Sequence, residues 1–326
     1  VRAVIPVAGE GTRLKPHTNT YPKPLLYVAG KPIISHIVEI LIKAGITEMV
    51  FITGYLEDKL RDFLLKNYNI PMKFVRQERQ LGIAHAVHLA RDNIKGEPVF
   101  IVLGDTIFEA DLHKVFTKGK NALGVMEVDN PQRFGIAIVE NGRIVELEEK
   151  PLKPKSNLAL TGLYFIKDTD ILISCIDRLI KDDKKTKNEY QITDALNEMV
   201  KNGSYITTFP LKGWYDCGSA QALLDTNRIL LSRNGSDVLG SLKDTIIIDP
   251  VAIAENVVIE RSIIGPYVSV GSGTTITDSR IRDALIGRKN HIDSVIIEKS
   301  LIGHETKIKG RFGNLNVGDS SELEMH

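Results

Sequence analysis

Two glycines and two cations in the first loop carry the clearest chemistry in this sequence. The run Val7-Ala8-Gly9-Glu10-Gly11-Thr12-Arg13-Leu14-Lys15-Pro16, followed by Pro22-Lys23-Pro24, comes straight after an apolar, strand-like stretch. A Gly-x-Gly turn at that place lets the backbone around Ala8, Gly9, Gly11 and Thr12 approach a polyphosphate without side-chain obstruction. Such turns also exist merely to be tight. Arg13 and Lys23 in the same segment tip the reading towards phosphate binding. The loop lacks the Gly-Lys-Ser/Thr of a P-loop and the third glycine of a dinucleotide turn.

Two carboxylates follow at distant positions. Asp105, in Leu103-Gly104-Asp105, ends the apolar run Pro98–Leu103, and ligands of an open α/β sheet bind outside that strand edge. Asp216, in Trp214-Tyr215-Asp216-Cys217-Gly218-Ser219, lies in a turn before a helix. Each could instead cap a helix or turn. Together they make a hard-cation site, since Mg²⁺ prefers one or two carboxylates completed by substrate phosphates and water. Gln77 and Gly82 offer an amide and a backbone edge to a nucleobase. Glu148-Glu149-Lys150-Pro151 ends a strand with charges and, taken alone, reads as a solvated strand end. His36, His85, His88, His291 and His304 show no ligand spacing, and Cys217 has no evident base partner, so it reads as a small buried residue.

These residues need a frame to position them. Val1–Val7, Met49–Thr53, Met72–Gln77 and Pro98–Leu103 read as strands, and helix-period segments fill the gaps: an amphipathic run through Ile34, Ile37, Val38, Leu41 and Ile42, then Leu56–Asn67 and Ala84–Asn93. Strand–helix alternation of this kind predicts a parallel, doubly wound sheet. Ala122–Val128, Phe134–Glu140 and Arg143–Glu148 look antiparallel, with Asn141-Gly142 as a hairpin turn. Helices over Tyr190–Asn202 and Ala220–Ser232 close this part, and the Lys181–Lys187 stretch reads as a solvated loop.

The texture changes near residue 240. Ile263-Ile264-Gly265, Leu285-Ile286-Gly287 and Leu301-Ile302-Gly303 repeat one step, and aliphatics fall six apart at Ile264, Val270 and Ile276, at Ile286 and Ile292, and at Ile302 and Ile308. That spacing predicts hexapeptide coils of a β-helix, each short side supplying one core residue. About four coils are expected, with ends that need covering. The domains expected are therefore 1–235 and 236–326.

Composition bounds the rest. At about 150 residues per domain, 326 residues suit two domains. With 43% hydrophobic and 25% charged residues the chain is globular. Lys+Arg of 42 against Asp+Glu of 41 gives a net charge of +1, without the basic excess of a nucleic-acid binder. No run approaches the ~18 apolar residues of a membrane span. The N-terminus has no secretory h-region, and Cys175 and Cys217 cannot build a disulfide framework, so a cytoplasmic location is expected.

The ordered motifs Gly-Glu-Gly-Thr-Arg-Leu, Pro-Lys-Pro-Leu, Leu-Gly-Asp, Phe-Gly-Ile, Glu-Glu-Lys-Pro, Thr-Gly-Leu-Tyr and Trp-Tyr-Asp-Cys-Gly resemble those of the sugar-phosphate nucleotidyltransferases. The nearest pattern is the longer form of the glucose-1-phosphate thymidylyltransferases. The resemblance runs from Val1 to about Arg233, and the last segment is similar to the left-handed β-helix appended to many relatives. It implies an α/β class: a Rossmann-like mixed-sheet domain followed by a short left-handed parallel β-helix. The implied reaction joins dTTP and glucose 1-phosphate to give dTDP-glucose and pyrophosphate. By motif, Arg13 would hold the leaving pyrophosphate and Lys23 the phosphates at the reacting centre. Asp105 and Asp216 would carry Mg²⁺. Gln77 and Gly82 would read the base, Lys150 would hold the sugar phosphate, and Gly135, Glu149, Leu160 and Tyr164 would line the sugar pocket. Many thymidylyltransferases carry Asn after the first aspartate, where this sequence has Thr106, which shortens a sugar contact. The alternatives are a uridylyltransferase and a bifunctional enzyme with an N-acetyltransferase in the β-helix. The expected partners are the two substrates and further copies of the chain, with no nucleic acid and no membrane. The β-helix is expected to assemble and stabilise the protein, with transfer chemistry partly surviving a cut after Arg233.

Overall fold

A computed structural model describes residues 1–310 and 315–324. The chain forms two compact units, one of Val1–Gly9 with Ile37–Trp214 and one of Glu10–His36 with Tyr215–His326.

The first unit is built on a nine-stranded mixed sheet. Arg2–Pro6 pairs in parallel with both Glu48–Thr53 and Val99–Val102, and Met72–Arg76 adds to the outer side of Glu48–Thr53. Val4, Val50, Phe51, Phe100 and Ile101 are fully buried, the mark of parallel strands covered on both faces. Helices Glu57–Asn67, Ile83–Leu89 and Arg91–Ile94 fill the crossovers, the last two standing where one continuous helix was expected. The antiparallel portion begins with Leu158–Ile166, a strand the periodicity did not mark, which pairs with Val99–Val102 on one side and Asn121–Glu127 on the other. Gly135–Glu140 and Arg143–Glu149 form the expected hairpin, with Asn141 and Gly142 at φ 51° and 74°. Helix Ile192–Lys201 lies on this hairpin, where Asn197 Oδ1 accepts from the Leu147 amide at 2.9 Å.

In the second unit, helix Ala220–Asn234 is capped by Ser219, whose Oγ accepts from the Ala222 amide at 3.3 Å. Parallel strands follow in stacked ladders, one of them six strands deep, running from Ser241–Lys243 to Glu322–Glu324. Ile259, Ile276, Ile292 and Ile308 stack inward in one ladder, Ile253, Val270, Ile286 and Ile302 in a second, and Ile264, Ile281 and Ile297 in a third. This is the architecture of a left-handed β-helix, one aliphatic per side per coil. The stack is deeper than the expected four coils: its first turn already carries the step as Val238-Leu239-Gly240, and its last, Leu315-Asn316-Val317-Gly318, breaks it.

Candidate active site

In the first unit the Gly-x-Gly loop leaves its strand beside Asp105. The Gly104 amide donates to the Pro6 carbonyl at 3.3 Å, so Leu103-Gly104-Asp105 and Val7-Ala8-Gly9 emerge side by side at the carboxyl edge of adjacent parallel strands. Thr106, buried, turns its hydroxyl onto Asp105 Oδ1 at 3.4 Å. Gln80 Nε2 donates to the Ala8 carbonyl at 3.1 Å and ties the Gln77–Gly82 segment to the first loop.

The structure brings Gln77 and Gly82 together. The buried Gln77 amide donates to the Gly82 carbonyl at 3.3 Å and to His85 Nδ1 at 3.0 Å, leaving its own carbonyl oxygen to accept from a ligand. His85, which has no ligand spacing in the sequence, enters here as a hydrogen-bond partner. Burial first, then the charges of His88 and Arg79, lowers its basicity, which suits an accepting Nδ1. Gly82 sits at φ 108°, and a Cβ there would meet Tyr190 O at 2.5 Å and Tyr190 N at 2.8 Å. The Tyr190 backbone is fixed in turn, bonded to Leu81 O and the Ala84 amide at 2.8 and 2.9 Å. Gly82→Ala is therefore expected to cost about 1–3 kcal/mol in backbone strain and displacement. A lowered thermal midpoint with a raised nucleotide KM, read by melting and kinetics, would bear this out.

The sugar-pocket candidates also converge. A Cβ on Gly135 would lie 3.0 Å from Glu149 Oε2, 3.0 Å from Thr193 Oγ1 and 3.1 Å from Leu160 Cδ1. Thr193 Oγ1 donates to Glu149 Oε2 at 2.7 Å, and Lys150 Nζ lies 3.5 Å from Glu149 Oε1. Tyr164 is buried, and burial, with the Glu149 carboxylate second, holds its phenol far above the ordinary range. It stays neutral at any working pH. Thr193 was not singled out from sequence; it stands in the first turn of helix Ile192–Lys201.

The second unit contains Arg13, Lys23 and Asp216. Gly11, at φ 65°, starts a single turn Thr12–Leu14 that leaves Arg13 exposed. Thr18 Oγ1 donates to the Gly11 carbonyl at 2.9 Å, and Lys23, 8% exposed, packs its Cβ 3.1 Å from where a Gly11 Cβ would stand. Asp216 and Arg13 meet at Gly218: a Cβ there would lie 2.8 Å from Asp216 Oδ1 and 2.9 Å from Arg13 Nη2. Only a glycine leaves these two side chains room at that place. Among the described residues no group of three or more His, Cys, Asp or Glu could hold a metal. Asp105 lies in the first unit and Asp216 in the second. No described helix is long and apolar enough to cross a membrane.

Comparison with known proteins gives these sites a context. Across its whole length the chain is 31% identical to the full length of the low-salt glycan biosynthesis nucleotidyltransferase Agl11 of Haloferax volcanii. It is 34% identical to the bifunctional protein GlmU of Methanococcus maripaludis over 94% of this chain and 72% of that one. It is 29% identical to the glucose-1-phosphate thymidylyltransferase of Streptomyces antibioticus, over 100% of this chain and 99% of that one. A solved UDP-glucose pyrophosphorylase bound to UDP-glucose superposes with a TM-score of 0.62 at 26% identity, covering 71% of this chain and 98% of that one. The model of the nucleotidyl transferase family matches residues 2–233, so the chain belongs to that family and is a nucleotidyltransferase of the sugar-phosphate type.

Proposed function

We propose that the protein condenses dTTP with glucose 1-phosphate, giving dTDP-glucose and pyrophosphate. The observation that carries this reading is the meeting of the Asp216 carboxylate and the Arg13 guanidinium at Gly218. A cation for a leaving polyphosphate beside a carboxylate for its counter-ion is the pairing that nucleotidyl transfer needs. In the reaction an oxygen of the sugar phosphate attacks the α-phosphorus, and the bond from that phosphorus to the bridging oxygen of the β-phosphate breaks. Asp105 and Asp216 are the carboxylates that would bind Mg²⁺, which would offset the charge that builds on the phosphates. Arg13 takes the leaving pyrophosphate, Lys23 steadies the phosphates at the reacting centre, and Lys150 orients the incoming sugar phosphate. No protein nucleophile is required, since holding two polyanions in line supplies most of the rate.

The Gln77 carbonyl oxygen, left as an acceptor, suits a base with an imide N–H, as thymine and uracil have. Glu149, braced by Thr193, accepts from sugar hydroxyls. Glu149→Gln keeps the shape and removes the charge, so sugar-phosphate KM should rise about tenfold or more, the worth of a charge-assisted hydrogen bond, while nucleotide KM holds. Steady-state kinetics with each substrate varied in turn checks the split. A second reading, UTP as the nucleotide, is supported by the likeness to the UDP-glucose pyrophosphorylase. Pyrophosphate release from purified protein across a panel of nucleoside triphosphates and sugar 1-phosphates decides between them. Release only with UTP would overturn the thymidylyl assignment. An acetyltransferase in the coils draws no support from His304, whose Nδ1 already accepts the Arg288 amide at 2.8 Å. No acetyl transfer from acetyl-CoA to glucosamine 1-phosphate is expected.

A further inference from the structure

We infer that Arg288, His304 and Asn316 of the β-helix are positioning residues for the phosphate loop, holding the segment that carries Arg13 and Lys23. This rests on the transfer reading above. The loop and the coils belong to one compact unit, and the contacts between them are specific. His17, 3% exposed, bonds through Nε2 to Asn316 Oδ1 at 2.6 Å, across 299 residues of sequence. Burial, the dominant cause, lowers the basicity of His17 and favours a neutral ring that donates to this amide oxygen. The next residue, Thr18, is the one that holds the Gly11 carbonyl, so the Arg13 turn is one residue removed from the anchor. Pro16 lies against the same coil, where a Cβ on Gly318 would come within 3.0 Å of its ring.

A second clamp holds the middle of the segment. The rings of Tyr21 and His304 pack at 4.4 Å between centroids, and the Arg288 guanidinium stands 5.6 Å from the Tyr21 ring and 5.7 Å from the Tyr27 ring. Arg288 Nη2 also donates to the Tyr21 hydroxyl at 3.4 Å. His304 is itself fixed, its Nδ1 accepting from the Arg288 amide and its own amide donating to Asp319 Oδ1 at 2.6 Å. The far end is pinned by the fully buried Asn227, whose Oδ1 accepts from the Ala29 amide at 2.9 Å and from Ser269 Oγ at 2.7 Å. None of Arg288, His304 or Asn316 is needed to fill the aliphatic core of the coils. Their side chains serve the loop. A cut after Arg233 would remove this support, so any transfer chemistry that survives it should be weaker than in the full chain.

The test uses the full-length chain with Arg288→Ala and Asn316→Ala, and Arg288→Lys as the conservative variant. Loss of support should speed amide hydrogen exchange in peptides covering Glu10–Tyr27 while peptides from the central coils stay protected. The kcat/KM for nucleotide should fall about 10- to 100-fold, the scale of a misplaced catalytic group, with the lysine variant partly restored. Placed on Arg13→Ala, Arg288→Ala should add little, because both act through one group. Unchanged exchange in the loop, or full additivity with Arg13→Ala, would overturn the inference. A parent chain that releases pyrophosphate with no substrate pair would sink the functional reading instead, and the exchange experiment would still decide whether the coils hold the loop.

Discussion

Asp105→Asn and Asp216→Asn are each expected to lower turnover about a hundred- to a thousand-fold, the scale of losing one preorganised electrostatic contact to a developing charge. The substitution keeps side-chain volume and removes only the carboxylate charge. Asp216 is exposed, and its structural contact, the Thr226 hydroxyl bond at 3.2 Å, goes to its backbone carbonyl and survives the change. Asp105 is half-buried beside the Thr106 hydroxyl, which can donate to an amide oxygen as it does to a carboxylate. Thermal midpoints should therefore stay close to the parent while pyrophosphate release collapses. Titrating Mg²⁺ separates weakened metal binding, which high Mg²⁺ partly restores, from lost charge stabilisation, which it does not. Near-parent turnover in either variant at saturating Mg²⁺ would remove that aspartate from the metal site.

The parts of this molecule that could be read in advance are those whose physics is local. A glycine turn after a buried strand, a cation two residues past its second glycine and an aspartate at a strand end are visible because nearby sequence dictates them. The repeated aliphatic-aliphatic-Gly step was legible for the same reason: each coil must bury one aliphatic per side whatever lies elsewhere. Its first coil, Asp237–Lys243, was not, because an end coil is only half covered and carries Leu242 at 38% exposure. Strand Leu158–Ile166 escaped because Gly162 interrupts its pattern and the register shifts between Leu160 and Tyr164. Thr193 was missed for a different reason. It reaches Glu149 from a helix 44 residues away, and nothing local marks a threonine in a first helical turn as a carboxylate partner. The anchoring of His17 to Asn316 was beyond reach altogether, since neither residue is unusual in its own surroundings.

Arg13→Ala should depress kcat/KM for the nucleotide about a hundredfold or more, and Arg13→Lys should recover only part of it. Arg13 is exposed, so truncation opens no cavity and its cost reports on function. In the thymidylyl reading the guanidinium faces pyrophosphate, a group whose oxygens can be taken two at a time by a planar fork. Lysine restores the charge without the fork, and its ammonium is more strongly hydrated and harder to bring against the carboxylate at Asp216. The place beside Gly218 where Asp216 Oδ1 and Arg13 Nη2 converge sharpens this expectation, because a side chain of different reach alters both partners together. Activity in the reverse direction gives the cleanest measurement: with pyrophosphate and the nucleotide sugar as substrates, Arg13→Lys should raise the KM for pyrophosphate far more than that for the nucleotide sugar. Equal shifts in the two would move Arg13 away from the leaving group, and parent-like kinetics in the lysine variant would leave it only a structural role in the first loop.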